Sequence, residues 1–132
     1  MEGNNIQLIK IPKGSNASGQ ACVAMICSLD FEYSKQIMGC GLLRTNRIIS
    51  VLRDYNINCH SCLRKTFPHW RIRLMEWHCN AIVRINWCKD KYHWVLLYRN
   101  EIYDPLCGYT GFSFLKEPSS FLKIKNEINK TS

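Results

Sequence analysis

From about Gly19 to Ser28 the chain reads GQACVAMICS, apolar on every side of a helical turn. A surface helix carries an apolar stripe and a polar face, whereas a helix apolar all round must be buried within its domain. This stretch therefore obliges the rest of the chain to wrap around it. The 132 residues suffice for that, since a chain of this size can build one domain with a real core. No internal repeat, low-complexity block or linker divides it, so residues 1–132 read as one domain.

The remaining elements follow from their periodicity. In RIISVLRDYN, Ile48, Val51, Leu52 and Tyr55 fall on one face of a second, amphipathic helix, with Thr45 or Asn46 as its cap. AIVRINW (Ala81–Trp87) and YHWVLLY (Tyr92–Tyr98) are rich in β-branched and aromatic residues and read as strands. EIYDP follows after a very short turn. The tail from Lys116 is polar and is expected to close with a short helix before Lys130. Helices first and antiparallel strands after them predict an α+β domain, its N-terminal helices packed on a C-terminal antiparallel sheet.

Hairpin geometry makes the second half informative. If Arg99 and Asn100 form a two-residue turn, Tyr98 faces Glu101 and Val95 lies opposite Asp104. His93 shares the face of Val95 and becomes the diagonal neighbour of Asp104, at about 7 Å between Cβ atoms, within reach of a carboxylate–imidazole contact. Pro105 cannot donate to a ladder, so the strand is expected to end at Asp104. A register slip of one residue would destroy the pairing. A histidine oriented by a carboxylate is the base half of a nucleophilic triad. Its nucleophile belongs at a helix N-terminus, whose partial positive charge lowers a thiol pKa, and the start of the Gly19–Ser28 helix supplies one. The plain alternative is a histidine satisfied at a sheet edge beside an ordinary turn aspartate.

SGQACVAMI resembles the nucleophile helix of the bacteriocin-processing, double-glycine peptidase domains of ABC exporters and their stand-alone relatives. That family has the papain-like fold, and its pattern runs Cys-Gly-x-Ala-x-x-Ala-Met. Gly19, Ala21, Ala24 and Met25 match; Ser18 stands where the family has its catalytic Cys. AIVRINWCKDKYHWVLLYRNEIYDP resembles the histidine strand and Asp-Pro hairpin of the same family. The resemblance spans about Ile11 to Gly108 and implies His93 as base, Asp104 as its orienter and Ser18 in the nucleophile position. It departs from the family upstream, where a glutamine usually serves as oxyanion donor. Pro12 and Lys13 stand there, so Asn16 or backbone N–H groups at the helix start would take that role.

Three explanations of Ser18 compete. It is an inactivating substitution in an otherwise harmful enzyme, or a natural one that leaves a binding module, or Cys22 is the true nucleophile with Asn16 six residues upstream. The first is favoured, because Cys22 lies a turn inside the helix. A serine keeps the shape of a thiol site and loses most of its rate, since its hydroxyl is far harder to ionise.

The formal net charge of +8 favours acidic partners. Only LRKTFPHWRIR (Leu63–Arg73) clusters basic residues with aromatics, and a solvated face explains it better than nucleic-acid binding. The opening MEGNNIQLIKIPKG lacks the apolar core and cleavage site of a signal peptide, and no stretch is long and apolar enough to span a bilayer. A chain acting in cytoplasm, its own or that of a target cell, is expected. Its eight cysteines are then expected to be mainly reduced. CHSC at Cys59–Cys62 followed by His78-Cys79 has poor spacing for zinc, so neither metal nor cofactor is expected. The resemblance implies a papain-like cysteine hydrolase, a peptidase or a protein glutamine deamidase, and the small, basic, stand-alone chain suggests an effector or toxin domain. Its partners would be a peptide or protein substrate and an immunity or inhibitor protein.

Overall fold

The computed structural model describes residues 6–12, 14–60, 64–65, 80–88, 91–99, 101–106, 108–111 and 118–125. Among the described residues, three helices come first: α1 (Ser18–Cys27), α2 (Phe31–Met38) and α3 (Thr45–Asp54). Six described strands follow: β1 (Arg64–Lys65), β2 (Asn80–Cys88), β3 (Lys91–Tyr98), β4 (Glu101–Asp104), β5 (Gly108–Gly111) and β6 (Pro118–Ile124). The strands form one antiparallel sheet in the order β1-β6-β2-β3-β4-β5. The α+β class and the order of helices before strands are those expected from the periodicity.

Helix α1 is the central element. Ser18 to Ile26 are all buried, and Ala21 and Met25 are 0% and 3% exposed. One core lies between the helices and one sheet face, where Cys22, Val23, Met25 and Ile26 meet Ile48, Leu52, Ile82, Trp94, Leu96 and Leu122. The alternation of the strands sends Ala81, Val83, Val95, Leu97, Ile102 and Phe121 to a second buried cluster on the opposite face. Both faces of the central strands are thus buried, which explains why their sequences read as near-continuous apolar runs.

Two expectations are corrected, and one helix forms that periodicity did not predict. The polar tail does not supply a helix before Lys130 among the described residues; Pro118–Ile124 is instead a strand inserted between β1 and β2. Its Phe121 enters one core and Leu122 and Ile124 the other, a short two-faced apolar run that the surrounding polar residues mask. Helix α3 is preceded by Arg44 as N-cap and has no side-chain cap, so neither Thr45 nor Asn46 plays that part. Helix α2 carries little apolar periodicity, burying only Ser34 and Met38, and forms between Asp30 at its N-cap and Gly39, whose φ of 84° ends it.

The hairpin follows the expected register. Tyr98 pairs with Glu101, Leu97 with Ile102 and Leu96 with Tyr103. Arg99 takes the left-handed φ of 52° that a tight hairpin turn needs, and its N–H donates to Asn80 Oδ1 at 3.0 Å. Cys62, His78, Cys79, most of Leu63–Arg73 and the turn residue Asn100 lie outside the described residues. Of the described cysteines, Cys22, Cys27, Cys40 and Cys59 carry free thiols. Among the described residues no helix is long and apolar enough to cross a membrane, and no cluster of three or more metal-ligating side chains occurs.

Candidate active site

The site forms in the notch where β4 stops. Strand β3 continues past the last β3–β4 pair, Leu96–Tyr103, while β4 turns away at Pro105. Continuing the register would set Trp94 opposite Pro105. Instead Pro105 O accepts the N–H of Ile11 at 2.8 Å, and Trp94 N–H donates to Ser18 Oγ at 3.0 Å. The serine at the start of α1 thus occupies the ladder position that β4 leaves. Proline dictates the break, and the helix N-terminus fills it.

One residue before Trp94, His93 lies on the other face of β3 and is 4% exposed. Its Nε2 stands 2.7 Å from Asp104 Oδ1, the diagonal contact that the hairpin register requires. Leu106 N–H donates to the same carboxylate oxygen at 2.8 Å and fixes its direction. An ionised carboxylate only accepts, so the contact places a proton on Nε2 and makes Nδ1 the acceptor nitrogen of the neutral ring. That tautomer is the one a general base needs.

Ser18, His93 and Asn16 line a common cavity of about 150 Å³, together with Gly14, Ser15, Leu42, Tyr92 and Leu106. Ser15 Oγ accepts the N–H of Ala17 at 3.1 Å and shapes the entry to α1. Cys22 does not line the cavity. It is fully buried in the core, and burial first, then the nearby charge of Asp104, pushes its thiol well above the usual range. It has the setting of a packing residue rather than a nucleophile.

The structure brings Ser18, Asn16, His93 and Asp104 together from three separated segments of chain. It adds residues that motif reading passes over. Gln20, inside the apolar helix, is 0% exposed and donates from Nε2 to the carbonyls of Gly39 and Gly41 at 2.7 and 2.8 Å. Leu43 O accepts from Tyr92 Oη at 2.8 Å and from Trp94 Nε1 at 3.3 Å. One signal for Gln20 was present: a lone amide in an apolar helix must find buried partners. Nothing in the local pattern marks Leu42 or Tyr92 as cavity residues. Comparison with family models, curated proteins and solved structures gave no match.

Proposed function

We propose that the chain is a papain-like cysteine-hydrolase scaffold for a peptide or protein amide, in which Ser18 is an inactive stand-in for the nucleophile. The observation that carries this reading is the His93–Asp104 contact of 2.7 Å, with His93 and Ser18 lining one cavity at the start of α1. With a thiol at position 18, His93 Nδ1 would take the Sγ proton and the thiolate would attack the substrate carbonyl. The imidazolium would then protonate the departing nitrogen. Peptide cleavage and glutamine deamidation share this acyl-thioester route and differ in whether an amine or ammonia leaves. Asn16 lines the same cavity and is the candidate side-chain donor to the oxyanion.

A second reading has its own support. Ser18 is 2% exposed and its Oγ already accepts the Trp94 N–H, a structural duty that suits a cleft that binds a peptide without cutting it. In either case the net charge of +8 suits an effector or toxin domain met by an acidic inhibitor. The test is Ser18→Cys. Iodoacetamide is expected to label the new thiol below about pH 7, at least about tenfold faster than a free thiol. His93→Ala in that background should remove the enhancement, and Asp104→Asn should reduce it. Labelling no faster than a free thiol would reject the hydrolase reading.

A further inference from the structure

We propose that the cavity beside Ser18 is a subsite for one uncharged, apolar side chain of about leucine size, selected by Leu42. The proposal rests on reading the Ser18 cleft as a peptide seat, and it names what that seat accepts. Leu42 is one of two large hydrophobic residues exposed among the described residues, at 36%, and it lines the cavity. A single exposed leucine ordinarily needs no explanation. This one sits on a loop that the core holds on both sides.

Before it, the carbonyls of Gly39 and Gly41 are tied to Gln20. After it, Leu43 is 5% exposed, and its carbonyl is tied to Tyr92 and Trp94. Buried side chains from α1 and β3 thus fix the loop, while its apolar tip is left facing open space. A wall held this way is preorganised, so an occupant does not have to order it.

The other nonpolar lining residues point to the same occupant. The Tyr92 ring is set by its hydroxyl bond and by the Arg84 guanidinium 4.1 Å from its centroid, and Leu106 adds an aliphatic wall. A volume near 150 Å³ holds a group about the size of benzene. Among the described residues no Asp, Glu, Lys or Arg lines the cavity, so a charged side chain would find no counter-charge in its walls, whose polar members are Ser15, Asn16, Ser18 and His93. Glycine would leave the space unfilled, and an indole would exceed it.

The experiment is titration of the native chain, followed by amide NMR, with N-acetyl amides of glycine, leucine, aspartate, lysine and tryptophan. The leucine amide is expected to bind about tenfold more tightly than the others and to shift Ser18, Leu42 and Trp94. Leu42→Ala should weaken leucine binding about fivefold and admit the tryptophan amide. Leu42→Asp should favour lysine over leucine. Equal binding of leucine and aspartate amides, shifts confined to other regions, or unchanged leucine affinity in Leu42→Ala would overturn the proposal. Rapid labelling in Ser18→Cys without side-chain preference would reject the subsite alone. Leucine preference with slow labelling would reject only the hydrolase reading.

Discussion

Ser18, proposed above for the nucleophile position, serves structure as well. Its Oγ satisfies the buried N–H of Trp94 at 3.0 Å, so an alanine there would strand a backbone donor. Ser18→Ala is expected to cost about 1–3 kcal/mol in urea unfolding, far more than the loss of one surface hydroxyl. A cost below about 0.5 kcal/mol would show that the Trp94 amide finds another partner. The thiols make a second residue-scale prediction. Burial pushes Cys27 from 9.0 up to about 12. Between those values the unfolded chain has released a proton that the folded chain keeps. The stability from this group is therefore complete below about pH 9 and declines as pH rises towards 12, by at most about 1.4 kcal/mol per pH unit. Urea midpoints at about pH 7.5 and about pH 10.5 should show the fall, and Cys27→Ala should lessen it.

At the scale of elements, the contact between α1 and the loop before α3 depends on Gly19. A Cβ there would meet Leu43 Cδ1 and Trp94 Cδ1 at 3.1 Å. Alanine would gain about 1 kcal/mol of helix propensity. Both neighbours are tethered, however, Leu43 through its carbonyl and Trp94 through its backbone and indole N–H. They cannot yield cheaply, and overpacking costs about 1–3 kcal/mol. Gly19→Ala is therefore expected to be destabilising on balance, read as a lower midpoint of thermal unfolding, with displacement of the Leu42 amide resonance. What sequence could reveal follows the same division. The α1 helix, the β3–β4 register and the His93–Asp104 diagonal were legible because each rests on local spacing and one proline. The strand at Pro118–Ile124 was not, because its partners lie far away in sequence and Ser120 and Lys123 dilute its apolar run. The cavity walls at Leu42 and Tyr92 were equally hidden, since tertiary contacts alone bring that loop to β3.

At the scale of the whole molecule, the sheet is closed from the C-terminal side. Strand β6 pairs with β2 from Asn80–Ile124 to Ile85–Pro118 and holds β1 on its other edge. It also sends Phe121, Leu122 and Ile124 into the two cores, each 4% exposed or less. Removing residues 118–132 would uncover the edge of β2 and open both cores, so the shortened chain is expected to show no cooperative transition by circular dichroism. A sharp transition there would mean that the helices and the β2–β3–β4 hairpins are stable alone. The position of β6 also shapes how the protein is made. A ribosome adds about 5–20 residues each second, so the apolar β2–β3 hairpin emerges on the order of seconds before the strand that covers it. During that interval a nascent chain displays an unpaired, strand-forming edge, open to other chains and to chaperones. The yield of folded protein in a cell is thus set partly by a strand translated after the rest of the sheet it completes.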